Sequence, residues 1–541
     1  MKLAQYNPRR LAVIGLVLVV SSAFLGSRIE QAFSQDNNMQ EQLMKYQEVM
    51  TLVQRYYVDK PNLGELNDAA IVGMLSKLDP HSVYMPPKNV EQSAEQFSGK
   101  FEGIGVQFMM GKNDTILIDA IIPGGPSDAL GIIAGDKITA INGRRTTKFT
   151  EDSVRNNLRG PKGTKVNVTI TRTGQSAPLE FSITRDVIPI VSVMASFMVD
   201  DKTGYLNIGR FAEETYSEMM VALGDLSKQG MKQLILDLRG NPGGYLEQAV
   251  RIADEFIGGT KTIVSTKGRI ASFDDVDVSM PGNKYEKIPL VVLIDRGSAS
   301  ASEIVSGAVQ DLDRAVVVGV PSFGKGLVQR QFPLGNDKSA IRLTISRYYT
   351  PLGRSIQKKY DGAKYEGGEE MEIANSEEPN FDHSKDVHDS TKPKYTTASG
   401  RTVYGGGGIT PDYIVKSDTI TRSTWRLFAG SLFFDWVKDY VSSNAPSLKK
   451  QYTAESFVKN FTVPEEAFTA VFEKAKEKKI EYDMKEFDVD KAWVRNYIKG
   501  EVGRQLFNNN VRARMLLEND KQYQKAYTLL GEAAKMAMSM K

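Results

Sequence analysis

Apolar positions along the chain change their spacing several times, and each change marks a different kind of structure. Near the start they fall at Met39, Leu43, Tyr46, Met50 and Val53, close to the helical repeat. A second short helix is expected over 67–78, ended by Asp79-Pro80, because proline disfavours helical geometry in the residue before it. From Gly99 to about Asp186 the pattern switches to short runs separated by Gly and Pro turns. The runs 101–108, 116–122, 166–171 and 179–184 read as strands, the last two with the alternation of half-buried ones, and one helix is expected near 150–158.

Between about Val187 and Ser417 the apolar runs become continuous. Strands are expected over 233–238, 290–295 and 315–319, with helices near 245–256 and 300–312 between them. Such alternation predicts a parallel or mixed sheet with helices packed on it. The stretch 358–401 interrupts this order. It is acidic and poor in aliphatic residues, so it reads as an exposed insertion. Order resumes over 405–415, and from Asp418 the pattern is helical again, over 424–440, 465–479, 491–507 and 521–538. The expected fold class is mixed α/β and multidomain: a leader over 1–34, a helical region over 35–98, a β-rich domain over 99–186, an α/β core over 187–417, and a helical domain over 418–541.

Composition narrows the chemistry. The 541 residues are 41% hydrophobic and 25% charged, with a net charge of only +3, so no nucleic-acid surface is implied. Cysteine is absent, which excludes disulfides, thiolate nucleophiles and Cys-ligated metals. Histidine occurs only at His81, His383 and His388, so a His-based triad or His-rich metal site has few candidates. Lys2, Arg9 and Arg10 precede an apolar run over 11–26, and Ala32-Phe33-Ser34 offers a small-x-small cleavage site before Gln35. That run is short for a span of about 20 residues and long for a signal core of roughly 7–15. A cleaved signal and an uncleaved anchor both remain open; either places the body of the protein outside the cytoplasm.

Two segments carry candidate chemistry. In Asp295-Arg296-Gly297-Ser298-Ala299-Ser300-Ala301-Ser302-Glu303, a serine sits between a buried strand and a helix. There a hydroxyl is exposed at the carboxyl edge of the sheet and free helix N–H groups can stabilise an oxyanion. Ser300-x-x-Glu303 is equally a capping box, which needs no catalysis. The second segment, Gly319-Val320-Pro321-Ser322-Phe323-Gly324-Lys325-Gly326, nearly fits a phosphate-binding loop. It fails at the final hydroxyl, and the residues after it alternate like a strand rather than opening a helix. Ser322-x-x-Lys325 also has a nucleophile–base spacing, which recurs at Ser355/Lys358, Ser447/Lys450 and Ser456/Lys459 and so carries little weight. A lysine at 325 that is partly desolvated would lose its charge readily and could serve as a general base; a solvated loop lysine is the plain alternative.

Taken together, Ser298-Ala299-Ser300-Ala301-Ser302-Glu303-Ile304 and Phe323-Gly324-Lys325-Gly326 followed by Val328-Gln329 resemble the carboxyl-terminal processing, or tail-specific, peptidases over about 40–417. The resemblance implies that the middle serine, Ser300, is the nucleophile and that Lys325, 25 positions later, is the base. It implies that Gln329 positions the lysine amine. It also implies an oxyanion hole built from the N–H of Ala301 and one from the turn 238–244, where Gly243 and Gly244 are both candidates. Asp311, eleven residues after the serine, is sensitive in the family; on one helix that separation is about 16 Å, so support of the fold is the expected role. His81, in Leu78-Asp79-Pro80-His81-Ser82, is likewise expected to be structural.

Residues 99–186 resemble a PDZ domain, through Phe101-Glu102-Gly103-Ile104-Gly105-Val106 and through Pro123-Gly124-Gly125-Pro126-Ser127 with Gly135-Asp136 and Asn142-Gly143. PDZ domains add a peptide strand to a sheet edge and capture a free C-terminus. Gly103, Ile104 and Gly105 are the implied contacts. The whole implies a periplasmic endopeptidase, soluble or tethered to the inner membrane, that cuts exported proteins near their C-termini with no metal or organic cofactor. Its partners are protein or peptide tails and no nucleic acid. The insertion and C-terminal helices are left for an adaptor or for homo-oligomer formation. The competing expectation is a catalytically silent PDZ scaffold or adaptor in the cell envelope.

Overall fold

The computed structural model describes residues 38–110, 116–122, 124–172, 174–335, 337–365 and 392–539. The expected export segment and the middle of the acidic stretch lie outside the described residues. The chain divides into two compact units, with the boundary between Lys77 and Leu78.

The first unit holds a helix over 38–56 and a second, Leu63–Leu75. The second helix begins earlier than the apolar spacing suggests because Asn62 caps it, its Oδ1 accepting from Gly64 N at 3.1 Å. Tyr46 Oη donates to Asn67 Oδ1 at 2.8 Å and joins the two helices.

The second unit opens with a short strand, Val83–Met85, and a helix, Pro87–Ser98, that leads into the β-rich domain. There the expected single strand over 101–108 is two strands. Lys100–Gly103 pairs with Asp186–Pro189, and Val106–Met110 joins a different sheet. The break falls at Gly105, whose φ of +75° turns the chain and whose missing side chain leaves room for Ile188. The second sheet runs Val106–Met110, Ile116–Ile121, Lys137–Ile141, Lys165–Thr171, Leu179–Thr184, so Val106–Met110 is an edge. A groove separates this edge from the helix Glu151–Leu158, which Thr150 caps.

The α/β core is a six-stranded sheet in the order Val193–Met198, Thr203–Ile208, Gln233–Asp237, Leu290–Ile294, Val316–Gly319, Tyr413–Ile414. The first pair is antiparallel and the rest are parallel. Its four central strands are buried on both faces, which is why they read as nearly unbroken apolar runs. Leu234, Leu236, Val292 and Ile294 pack under the helices Thr215–Lys228, Leu246–Phe256 and Ala301–Asp311. The alternate residues Ile235, Val291, Leu293 and Val318 pack under Ala526, Leu529, Leu530 and Ala533. The C-terminal helices Lys521–Thr528 and Leu530–Ser539 therefore form the second layer of the core, a role the sequence pattern does not announce.

A second, antiparallel sheet stands beside the core: Leu327–Leu334 pairs with Ser339–Tyr349, which also pairs with Val83–Met85 and Thr262–Gly268. The remaining C-terminal helices, from Arg422–Ala429 to Asn509–Leu517, have an aromatic-rich core of their own. The expected helix 424–440 is split at Ser431, whose φ is +57°, and the one expected over 521–538 is split at Leu529. The stretch 358–401 is not exposed throughout: Tyr360–Asp361 pairs with Lys364–Tyr365, and Tyr365 is buried. No helix among the described residues is long and apolar enough to cross a membrane.

Candidate active site

Two neighbouring parallel strands, Gln233–Asp237 and Leu290–Ile294, end side by side, and the turns that leave them are stitched together. The stitching residues are the polar ones. Asp295 Oδ1 accepts from Gly240 N at 2.8 Å across the gap and from Gly297 N at 2.9 Å within its own turn. Ser298 Oγ donates to the Leu238 carbonyl at 2.8 Å, and Ser302 Oγ to the Asn241 carbonyl at 2.9 Å. Both serines are fully buried. Their hydroxyls are committed to the fold, which separates them from Ser300, the half-buried serine between them.

Ser300 stands where the turn becomes the helix Ala301–Asp311, at φ +53° and ψ −112°. A non-glycine residue rarely adopts a positive φ, at a cost on the order of 1–3 kcal/mol, and such strain clusters where function demands it. Gly243 makes the conformation feasible: a Cβ there would lie 2.8 Å from Ser300 Cβ and 2.7 Å from the Ala299 carbonyl oxygen. Gly244, at φ +151°, is as constrained, since a Cβ would lie 2.0 Å from the Phe211 carbonyl oxygen. The two glycines differ in their donors. Gly243 N donates to Asn241 Oδ1 at 2.9 Å, so its N–H is already engaged. Gly244 packs through the neighbouring groups, with Tyr245 N donating to the Phe211 carbonyl at 2.8 Å.

Lys325 comes from the loop after Val316–Gly319, and one carboxylate ties that loop to Ser300. Glu303, fully buried on the first turn of the helix, accepts from Ser300 N at 2.8 Å and Lys325 N at 2.9 Å on Oε2. Its Oε1 accepts from Gly324 N at 2.7 Å and Ser322 Oγ at 2.5 Å. The cap foreseen for Glu303 is thus also a bridge between the two candidate loops. The same bonds dispose of two other readings. The loop N–H groups of Gly324 and Lys325 hold a carboxylate rather than a phosphate, and Gly326 N donates to Gln357 Oε1 at 2.8 Å. Ser322 is buried, its Oγ also accepting from Ile409 N at 2.7 Å, so it is a strut. Tyr348 adds a second bridge, its hydroxyl proton shared between the carbonyls of Lys325 and Ser300, the latter at 3.1 Å.

The surroundings of the lysine favour its neutral form. The Lys325 amine is pushed down to about 8, first by burial and then by the Arg342 guanidinium, with Glu303 and Asp79 opposing. His81 faces the same region: burial, then the charge of Lys325, pushes its imidazole down to about 3, so the ring is neutral. Its Nε2 is hydrogen-bonded to Tyr365 Oη. Asp79 secures this wall, accepting from His81 N at 2.9 Å and Thr344 Oγ1 at 3.0 Å. Gln329 sits at a register shift in the strand Leu327–Leu334, and its Nε2 donates to the Leu327 carbonyl at 3.2 Å, not to Lys325. Tyr348, Arg342 and Tyr365 were not singled out by sequence. Only His81 and Asp79 had a signal, the Leu78-Asp79-Pro80-His81 segment.

In the β-rich domain, Ile104 is buried and its carbonyl accepts from Ser127 Oγ at 2.6 Å, while the Gly105 carbonyl accepts from Ile122 N at 3.0 Å. Gly103, Ile104 and Gly105 all line the groove beside the edge strand.

This arrangement has relatives. A curated carboxy-terminal-processing protease of Bartonella bacilliformis is 38% identical over 355 residues, 63% of this chain and 80% of that protein. The chain belongs to the carboxy-terminal processing protease family. A second relative, the carboxy-terminal processing protease CtpB of Bacillus subtilis, is 35% identical over 60% of this chain and 67% of its own length. Within the protease, the peptidase family S41 pattern matches 202–365 and the PDZ domain pattern 93–171. The N-terminal domain of the activating protease CtpB matches 20–89, and a family of unknown function matches 425–508. The last helices of the protease, from Asn509 on, lie outside all four. Among solved structures, a photosystem II D1 C-terminal processing protease aligns with 27% identity over 58% of this chain and 89% of that one, with a TM-score of 0.32. The two family patterns and the sheets they cover give the protease a PDZ domain and a mixed α/β peptidase core, as the motifs implied.

Proposed function

We propose that this protease cuts exported proteins near their C-termini with Ser300 as nucleophile and Lys325 as general base, and that it works in the periplasm. The observation that carries the reading is the single buried carboxylate, Glu303, that holds both Ser300 N and Lys325 N on one oxygen. Beside it stands a lysine whose amine is pushed down to about 8. The edge strand Val106–Met110 is free to accept a substrate tail as an added strand, with Gly103, Ile104 and Gly105 at the end that would receive the carboxylate.

Chemically, the neutral Lys325 amine takes the proton of Ser300 Oγ as that oxygen bonds to the scissile carbonyl carbon. The carbonyl oxygen becomes an oxyanion, for which the N–H groups of Ala301 and Gly244 are the assigned donors, since that of Gly243 is engaged. Collapse breaks the C–N bond, and the Lys325 ammonium returns the proton to the departing amine. Water then attacks the acyl ester, gives a proton to Lys325, and Ser300 leaves with that proton restored. Gln329 is assigned to steady the amine once substrate is bound, releasing the Leu327 carbonyl to do so.

The test is cleavage of a protein with an apolar C-terminal tail by the purified protease, with fragments identified by mass spectrometry. Cuts near the tail that vanish in S300A and K325A are expected. Retained turnover in K325A would overturn the assigned base, and a protease unreactive towards both substrate and a serine-directed fluorophosphonate would favour the silent scaffold.

A further inference from the structure

The turn 238–244 supplies the close approach to Ser300, yet its conformation is also held from the opposite side of the sheet. Arg239 is the link. Its backbone N donates to Asp237 Oδ1 at 2.9 Å, and its Nη2 donates to Asp237 Oδ2 at 2.6 Å. The other end of the guanidinium belongs to the C-terminal layer: Nη1 is 2.7 Å from Asp520 Oδ2 and 3.0 Å from Gln522 Oε1. Gln522 is itself fixed, being 2% exposed and donating from Nε2 to the Val415 carbonyl at 2.8 Å. Asp520 caps the helix Lys521–Thr528 through Tyr523 N at 2.9 Å. Tyr205 completes the cluster, its hydroxyl donating to Asp237 Oδ2 at 2.7 Å. One residue beyond Arg239, Gly240 N is held by Asp295. The turn is thus anchored at two successive residues, once to the Ser300 turn and once to the C-terminal helices.

We infer that the C-terminal helices brace the oxyanion turn, with Asp520 and Gln522 as positioning residues for the reaction at Ser300. The inference rests on the proposed serine chemistry. It goes beyond a packing role because the brace meets the turn through a planar, two-ended guanidinium. Such a group fixes direction as well as distance. Without Asp520, Arg239 keeps Asp237 as an ionic partner, so no guanidinium is left unpaired while the turn loses one of its anchors.

The experiment measures kcat and KM on a short tail-less peptide, inhibition by a peptide aldehyde, and thermal unfolding, for the full-length protease and its D520N, D520E and Q522A variants. An aldehyde forms a tetrahedral adduct whose oxygen occupies the oxyanion position, so its Ki reads the geometry of the turn. D520N is expected to lower kcat about tenfold, less than the hundredfold or more lost when an oxyanion donor is removed outright. KM should stay within about twofold, and the aldehyde Ki should rise with the fall in kcat, while D520E recovers part of both. Unchanged kcat per folded molecule, or a lower kcat with an unchanged aldehyde Ki, would overturn the brace. If D520N does not fold, Q522A, which removes one hydrogen bond, is read by the same two criteria. A wild-type protease that cleaves nothing, or an S300A variant that still does, sinks the serine assignment itself and is told apart from failure of the brace alone.

Discussion

Ser300 and Lys325 give their backbone N–H groups to the same oxygen, Glu303 Oε2, at 2.8 and 2.9 Å. The proposed nucleophile and base are therefore registered through the backbone, before any contact between their side chains. Loops from two separate strands cannot drift apart without breaking bonds to a fully buried carboxylate, which is costly.

That registration makes E303Q informative. The carboxylate receives four hydrogen bonds, from Ser300 N, Lys325 N, Gly324 N and Ser322 Oγ. An amide keeps one acceptor oxygen and turns an NH₂ towards donors. The expected loss is about 1–3 kcal/mol of stability for each buried donor left unmatched, with kcat falling further than the folded fraction does. Denaturant unfolding and turnover measured on the same sample check this; wild-type stability in E303Q would show the bridge to be idle.

Removing the reacting groups should leave the fold alone. S300A relieves nothing that holds the turn, because Ser298 and Ser302 carry its side-chain bonds. K325A removes the side chain beyond Cβ but keeps the backbone N–H that Glu303 binds. Each is expected to lower kcat by about 10³-fold or more, with unchanged thermal unfolding.

The pH profile follows from the state required of the base. A lysine base acts only when neutral, and the Lys325 amine is pushed down to about 8. Activity should therefore be low on the acid side and rise with pH through about 8. Arg342 lowers that value, so R342Q should move the rising limb to higher pH. Asp79 raises it, so weakening its charge should move the limb the other way. A limb that stays put in R342Q would mean that another group is being titrated.

Much of this was legible in the sequence, for physical reasons. Parallel strands buried on both faces leave unbroken apolar runs, so 233–238, 290–295 and 315–319 announced the core. The serine and lysine motifs marked the two loops that Glu303 bridges. What escaped is what depends on distant segments meeting. His81 and Tyr365 are 284 residues apart and their bond leaves no local trace. Ser298, Ser300 and Ser302 look alike until burial commits the outer two. The run 101–108 looks continuous because its break needs only a glycine at positive φ. Helical spacing in the last residues shows an apolar face but not that it lies on the sheet.

Tail capture has its own test. Gly105 adopts a φ of +75°, and a Cβ would lie 3.2 Å from Ile188 Cδ1 and 3.4 Å from Pro126 Cδ. G105A should cost about 1–2 kcal/mol locally and distort the loop that lines the groove. KM for a tailed protein is expected to rise, while a short tail-less peptide is cut at the wild-type rate. Equal effects on both substrates would remove the PDZ domain from substrate capture.

Asp311 separates fold from chemistry most cleanly. It lies at the far end of the helix that begins beside Ser300, and its Oδ1 is paired with Arg354 Nη2, both side chains fully buried. Its Oδ2 accepts from Leu352 N at 3.0 Å. Arg354 also donates to the Tyr404 carbonyl and to Gln310 Oε1, so it ties the loop after Ser339–Tyr349 to the segment before Tyr413. Taking away the carboxylate leaves a guanidinium buried with neutral acceptors only, a loss of about 3–5 kcal/mol. D311A should therefore unfold at markedly lower denaturant, yet the molecules that remain folded should turn over with wild-type kcat and an unshifted pH profile. A D311A variant that is stable but inactive would place this carboxylate in the reaction and contradict the geometry, which keeps it a whole helix away from Ser300.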